Sequence, residues 1–148
     1  MSITKRNPNR IFLGGPAPTV INDLAAKEAI TPGMLVELVN TAGVHQWQKA
    51  GTAKVPTTSV ALDMIMLNKG VDDACAAGDL IEVGELVPGD AWWAIVGSGA
   101  DVAFGDKLEN AGTGKLRAWT DASRAFRALE TVDNSAGPGD ARIRVEVQ

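Results

Sequence analysis

Few residues of this chain have side chains suited to catalysis, and their spacing matches no catalytic pattern. The single histidine, His45, lies in a segment whose alternation predicts a surface strand. The single cysteine, Cys75, follows Asp72 and Asp73, and neighbouring carboxylates raise the pKa of a thiol rather than lower it. We interpret His45 as an exposed strand residue and Cys75 as a small apolar filler, so we predict that the protein is not an enzyme.

Metal and cofactor sites are not predicted either. One histidine and one cysteine cannot supply the ligands of a zinc site. Asp72, Asp73 and Asp79 carry oxygen ligands, but their spacing does not match a 12-residue calcium loop. The segment 97–101 is rich in small residues like a phosphate-binding loop, but it lacks the Gly-Lys-Ser/Thr ending. We therefore expect no metal and no cofactor.

A short phrase recurs along the chain: a glycine, usually followed by aspartate, and then an alternating apolar run. It occupies residues 32–38, 78–83, 88–93, 105–109 and 138–145. Glycine adopts the positive φ that a tight turn needs, and aspartate bonds the local backbone. Each phrase therefore predicts a turn that leads into a strand.

These turns predict an all-β fold. We expect one compact small β-barrel or sandwich of about nine short, mostly antiparallel strands. The longest apolar run, 59–67, predicts a central strand in which Asp63 is the only charge. The last strand alternates, which predicts outward-facing side chains for Arg142, Arg144 and Glu146.

Charge divides the chain into two parts. The 148 residues include 14 basic and 18 acidic side chains, for a net charge of −4. Three of the basic and none of the acidic side chains lie in residues 1–22, which leaves residues 23–148 with a charge of −7. Prolines and glycines in the first part predict an extended N-terminal arm over 1–22, followed by a single β domain over 23–148. The alternative is a terminal strand that completes the chain's own sheet.

The charge distribution and the hydropathy pattern argue against two classes of partner. An acidic body is poorly suited to nucleic acid, although one basic and aromatic cluster exists: Arg117, Trp119, Arg124, Phe126 and Arg127. No apolar stretch approaches the roughly 20 residues of a membrane helix. A single cysteine permits no intrachain disulfide, and a reducing site of synthesis is the simpler interpretation. We expect neither nucleic acid nor a membrane as partner.

Adjacent tryptophans indicate a possible contact surface. Trp92 and Trp93 must point to opposite faces of a strand, so one enters the core and the other lies on the opposite face. Tryptophan is enriched at protein interfaces. Two interpretations remain open: an interface between copies of the chain, or a tryptophan covered by this chain's own arm or loops.

Several segments resemble the capsid decoration (cement) proteins of tailed bacteriophages. Residues 14–18 and 31–36 are similar to the start of these proteins. Further similarity lies at 61–63, 77–79, 104–108, 128–130 and 141–145, so that the resemblance spans roughly residues 10–148. The similar features are glycine turns and strand patterns.

The resemblance implies a small β-barrel-like protein that binds the outer surface of an assembled phage head after synthesis in the host cytoplasm. Members of this family form trimers, or sometimes dimers, over junctions between subunits of the major capsid protein, and they stabilise the shell. They have no active site. The family supplies no motif that identifies individual binding residues.

Within this hypothesis, the arm binds the capsid or a neighbouring copy. Charge would come from Lys5, Arg6 and Arg10, and apolar contact or strand pairing would come from Ile3, Ile11, Phe12 and Leu13. We favour a homotrimer over a dimer, with Trp92 or Trp93 near the interface. Removal of residues 1–13 is expected to abolish capsid binding and to leave the barrel folded.

Two alternatives come from other classes of protein. A ligand-binding β module, for example for glycans, would use exposed Trp47 or Trp119. A phage tail or baseplate component would also be structural, but it would form rings or tubes.

Overall fold

Short β-strands form the framework of the protein. The computed structural model describes residues 10–16, 18–51, 57–64, 67–121 and 124–148. The strands within these residues are β1 (Phe12–Gly14), β2 (Thr19–Ile21), β3 (Val36–Thr41), β4 (Val44–Lys49), β5 (Ser59–Ala61), β6 (Val83–Glu85), β7 (Ala91–Val96), β8 (Asp101–Val102), β9 (Lys107–Asn110), β10 (Leu116–Ala118), β11 (Phe126–Ala128), β12 (Val132–Asp133) and β13 (Ala141–Val147). The predicted all-β fold is confirmed, and its strands are shorter and more numerous than the sequence indicated.

Five of these strands close into a barrel. The strand order runs from β7 to β13, β11, β9 and β10, and β10 returns to β7 through the parallel pair Leu116 and Val96. Every other pairing in the barrel is antiparallel. The longest strand, β13, pairs with β7 from Ala141 to Glu146. Closure leaves the barrel strands without a long exposed edge.

A second layer packs beside the barrel. It contains the sheet β2–β6–β5 and the hairpin β3–β4, while β8 and β12 form a separate pair. The hairpin turns through Ala42 and Gly43, both at positive φ (51° and 85°), as a two-residue hairpin requires. Bridges from Leu35 to Val60 and from Ala26 to Trp47 tie the hairpin to the rest of the layer.

Two apolar cores correspond to these two layers. Inside the barrel, the rings of Trp92 and Phe126 meet edge to face, with centroids 5.2 Å apart. The second core surrounds Trp47, which is 2% exposed, and includes Ile81 and Ile95. Because Ile95 lies on barrel strand β7, this core fills the space between barrel and second layer.

The recurring glycine–aspartate phrase forms the turns that the sequence predicts. Gly78, Gly89 and Gly105 have φ of 91°, 95° and 87°, as the third position of a type II turn requires. In each turn, the following aspartate accepts a hydrogen bond from the backbone N–H three residues before it, with distances of 2.8–2.9 Å. The backbone N–H of the same aspartate donates to the carbonyl of that earlier residue. These turns set the direction in which the chain enters the next segment.

The predicted central strand over 59–67 ends early. Strand β5 stops at Ala61, although the N–H of Leu62 still donates to the carbonyl of Glu82, the next residue in the register of β5 with β6. Asp63 then turns its carboxylate toward the N-terminal segment. The strand prediction for 59–67 was therefore wrong at 62–64 and at 67, while residues 65 and 66 lie outside the described residues.

The sequence also predicted an outward-facing Arg142. The side chain leaves the barrel as expected, but it is only 7% exposed because the segments around Pro32 and Val71 cover it. The prediction missed this second layer, whose residues are far from Arg142 in the chain.

Most of the predicted arm is part of the β domain. Strand β1 pairs with β7, where Phe12 lies opposite Trp92, and strand β2 pairs with β6. Ile11 is completely buried in the barrel core. From residue 10 onward, the chain thus follows the alternative interpretation, in which terminal strands complete its own sheets. Residues 1–9 lie outside the described residues.

Candidate functional site

The two residues with the best potential for catalysis lie apart. His45 is exposed near the start of β4, opposite Asn40 on β3. Cys75 is 2% exposed in the second core, and its burial raises the pKa of the thiol. A buried thiol with a raised pKa is a poor nucleophile. The structure therefore places Cys75 as the apolar filler that the sequence predicted.

The segment 97–101 forms a turn that leads into a strand. Gly99 has a φ of 89°, and Ala100 donates its N–H to the Gly97 carbonyl over 3.3 Å. The hydroxyl of Ser98 donates to the carbonyl of Gly137. Phosphate loops lead into a helix N-terminus, whereas this turn leads into β8. Among the described residues, no cluster of three or more His, Cys, Asp or Glu side chains is close enough to hold a metal ion.

A buried carboxylate anchors the N-terminal segment to the body. Asp63 is 6% exposed, and its Oδ1 accepts the Ile11 N–H over 2.6 Å. Its Oδ2 accepts a hydrogen bond from Nε of Arg10 over 3.1 Å. The Arg10 side chain itself is largely exposed. The chain therefore leaves the barrel wall at a fixed point next to Arg10.

The remaining predicted arm residues fall into two groups. Phe12 packs against the barrel core, while Leu13 is 42% exposed beside it. Ile3, Lys5 and Arg6 lie outside the residues that the structure describes. The structure thus brings Arg10, Ile11 and Phe12 together as an anchor, and leaves Leu13 as the exposed apolar residue next to it.

Both predicted interface tryptophans are buried within the chain. Trp92 is inside the barrel and donates its indole N–H to the Gly33 carbonyl over 3.1 Å. Trp93 points away from the barrel interior but is only 8% exposed, and the Arg144 guanidinium lies 5.8 Å from its ring centroid. Of the two open interpretations, the second describes this chain: its own segments cover both tryptophans.

The members of the basic and aromatic cluster are engaged by other residues of the chain. Phe126 is 1% exposed and belongs to the barrel core. Arg117 pairs with Glu109, Arg127 pairs with Glu146, and Arg124 donates to the Gln148 carbonyl. Lys107 lies 4.5 Å from the centroid of the Trp119 ring. These interactions engage the basic side chains within the chain itself.

Trp47 also differs from the expectation of an exposed ring for a glycan. It is 2% exposed because Ala25 and Lys27 pair with its backbone and cover that side of β4. Its indole Nε1 is buried without a hydrogen-bond partner in the described part of the chain. A buried donor without an acceptor costs free energy, so this atom calls for an explanation.

Trp47 forms part of the feature that the sequence did not predict, an open groove beside β3. The groove lies between the β3–β4 hairpin and the sheet β2–β6–β5, and its volume is about 500 Å³. Its lining includes Ile21, Glu37, Leu38, Trp47, Ser59 and Glu85. We call it the β3 groove. Its residues come from four distant parts of the chain, so no local pattern indicates it.

The β3 groove is acidic. Glu37 accepts a hydrogen bond from the Gln48 amide over 2.6 Å, and Glu85 accepts one from the Ser59 hydroxyl over 2.7 Å. Both donors are neutral, so neither carboxylate is neutralised by them. Among the described residues that line the groove, none is Lys or Arg. Leu38 adds an apolar wall that is 49% exposed.

A second cavity, of about 580 Å³, lies next to Arg142. The contacts of Arg142 at this cavity stabilise the fold. The guanidinium of Arg142 bonds the carbonyls of Pro32 and Val71 and the carboxylate of Asp72. Burial lowers the pKa of Arg142, and the negative charge of Asp72 opposes this effect. With these partners in place, the guanidinium holds the second layer against β13.

No protein-family model matches the chain, and a search of curated proteins finds no match. In the described part of the chain, no helix is long and apolar enough to cross a membrane.

Proposed function

We propose that this protein is a structural component of a phage virion that binds the outer surface of an assembled head and stabilises contacts between major capsid protein subunits. It acts as a homo-oligomer, with a trimer favoured over a dimer. The basic N-terminal stretch that carries Ile3, Lys5 and Arg6 binds the capsid or a neighbouring copy. The protein performs no catalysis in this role.

The anchoring of Arg10 and Ile11 by Asp63 is the observation that best supports the proposal. A binding segment that leaves a rigid barrel at a fixed point loses less conformational freedom on binding than one attached by a long linker. The segment is basic, whereas residues 23–148 carry a charge of −7. The resemblance of several turns and strands to capsid decoration proteins is an independent reason for the proposal.

Multivalency supplies the physical mechanism. When one subunit of an oligomer has bound the shell, the next contacts become effectively intramolecular, and avidity exceeds single-site affinity by roughly 10²–10⁴. Such an oligomer binds only shells whose subunits have the matching spacing. Preferential binding then stabilises that lattice against alternatives by mass action.

The test is co-sedimentation with undecorated mature heads of the source phage, after light scattering has fixed the mass of the free protein. Saturable binding by a dimer or trimer, with a fixed number of copies per head, is the expected result. Heads that are already decorated provide the matched control and should bind no further protein.

A truncated variant tests the binding segment. Because Ile11 is part of the barrel core, removal of residues 1–13 would also damage the fold, and the variant should lack residues 2–9 only. We expect it to stay folded and to lose head binding. A full-length monomer that ignores heads would overturn the proposal, and a truncated variant that binds heads like the full-length protein would overturn the role of the segment. Assembly into rings or tubes would favour a tail component instead.

A further inference from the structure

The β3 groove contains three features that together describe a binding site for an extended chain. As far as the described residues show, it carries two carboxylates hydrogen-bonded by neutral donors, a half-exposed apolar wall, and a buried indole N–H without an acceptor. A peptide offers a carbonyl for the indole and side chains for the walls. The charge of the groove requires that this peptide be basic.

The hairpin register adds backbone groups to this site. Trp47 directs its own N–H and C=O away from β3, because they bond Ala25 and Lys27 over 3.0 and 2.7 Å. In an antiparallel pair, the residue opposite such a position also points its backbone groups outward. Leu38 lies opposite Trp47, so its N–H and C=O face the outer edge of β3.

The start of the same edge already accepts a hydrogen bond from within the chain. Two residues before Leu38, the carbonyl of Val36 accepts the Thr57 hydroxyl over 2.8 Å. Among the described contacts outside the hairpin, none involves the backbone of Leu38. An exposed strand edge of this kind pairs readily with an added strand, which is a common mode of peptide recognition.

We propose that residues 1–9 of a second copy of this chain bind in the β3 groove. This inference rests on the homo-oligomer in the proposed function and identifies which surface the N-terminal segment occupies. The segment carries Lys5 and Arg6 and no acidic residue, which complements Glu37 and Glu85. Ile3 supplies an apolar side chain for the wall at Leu38.

The geometry of the chain permits this exchange. Nine extended residues span roughly 30 Å, enough to leave the Arg10 anchor and cross onto a neighbouring barrel. Exchange of a terminal segment between identical copies creates an oligomer without a large preformed interface. The contact is driven by a few ion pairs and backbone hydrogen bonds, so it should weaken with salt.

The test measures oligomer mass by light scattering for full-length variants. Replacing Lys5 and Arg6 by Glu in one variant, and Glu37 and Glu85 by Lys in another, should each give monomers. A chain with all four changes restores the charge complementarity and should recover the oligomer. The neutralising pair Glu37→Gln and Glu85→Gln should raise the dissociation midpoint about 3- to 10-fold, as expected for two partly exposed ion pairs.

Matched controls keep the charge change but move it away from the groove. Asp23→Lys with Asp101→Lys alters two exposed carboxylates and should leave the mass unchanged. Circular dichroism confirms that every variant is folded. Charge-reversed variants that keep the wild-type mass would overturn the inference, as would a wild-type monomer or a four-fold variant that stays monomeric. No heads are used, so variants that keep the wild-type mass overturn the inference and leave the head-binding proposal standing, whereas a wild-type monomer would contradict both.

Discussion

Arg142 is the buried charge that connects the two layers of the protein. Its guanidinium fills the space between β13 and the segments around Pro32 and Val71, and Asp72 neutralises it at the surface. An aliphatic side chain in its place would leave several buried carbonyls without donors. Loss of a donor to buried acceptors costs more than the hydrogen bonds contribute, because the acceptors cannot return to water.

We predict that Arg142→Met lowers the free energy of unfolding by about 2–4 kcal/mol. Urea unfolding monitored by tryptophan fluorescence measures the change. Arg127→Met is the matched control: Arg127 is also paired with a carboxylate on a barrel strand, but its side chain is 46% exposed, so the loss should be below about 1 kcal/mol. Equal losses for both variants would contradict a special role for burial.

Cys75 gives the protein a predictable dependence on alkaline pH. Burial raises the pKa of its thiol above the ordinary value of 9.0. The unfolded chain therefore loses the thiol proton first as pH rises, and the stability that the buried thiol contributes below pH 9.0 declines above it. We predict that the stability difference between wild type and Cys75→Ala shrinks between pH 8 and pH 10, by at most about 1.4 kcal/mol per pH unit. Urea unfolding at four pH values measures this stability difference. A difference that stays constant with pH would contradict the raised pKa of the Cys75 thiol.

At the scale of elements, the type II turns set the direction of the chain, and one pair of glycines isolates their contribution. An alanine Cβ would meet no atom within 4 Å at either Gly105 or Gly139, but only Gly105 has a positive φ, of 87°. We predict that Gly105→Ala lowers the free energy of unfolding by about 1–2 kcal/mol. Gly139→Ala should be neutral or stabilise by up to about 1 kcal/mol. Thermal or urea unfolding of both variants checks this, and similar losses would show that turn strain is not the cause.

Strand β1 and the residue before it offer a similar comparison between a buried and an exposed residue. Ile11 is completely buried, whereas Leu13 is 42% exposed. We predict a loss of about 2–5 kcal/mol for Ile11→Ala and of less than about 1 kcal/mol for Leu13→Ala. Urea unfolding distinguishes the two. If Ile11→Ala were as stable as wild type, residues 10–14 would not be part of the body.

The sequence predicts those elements whose interactions are local. Each Gly-Asp turn involves four consecutive residues, and its chemistry is visible in the sequence. The anchor of Ile11 on Asp63 spans 52 positions and that of Arg142 on Pro32 spans 110, so neither has a local signal. The lone Asp63 in an apolar run was a hint, since a charge in such a run needs a partner.

The candidate site was harder to predict for the same reason. The polar alternation of 44–49 indicates a surface strand, yet pairing with residues 25–27 covers Trp47 and creates the second core. The β3 groove arises only when the hairpin packs beside β2 and β6. What the sequence did supply is the contrast in charge between the two ends of the proposed contact, the basic segment and the acidic body.

At the scale of the whole molecule, the two proposals make a joint prediction about avidity. The variant with Glu37→Lys and Glu85→Lys keeps the N-terminal segment unchanged but removes the complementary charge of the groove. If oligomerisation multiplies the contacts with the head, the monomeric variant should bind undecorated heads with an apparent affinity about 10²–10⁴ lower than wild type. Residual binding at high concentration should remain, because each single contact is intact.

Titration of labelled protein against a fixed number of heads, with occupancy measured after sedimentation, gives both affinities. The control with Asp23→Lys and Asp101→Lys should follow the wild-type curve, since its charge change is identical and its groove is untouched. A monomeric groove variant that binds heads as tightly as wild type would mean that one copy holds all the contacts the shell requires. In that case oligomerisation would serve a purpose other than avidity.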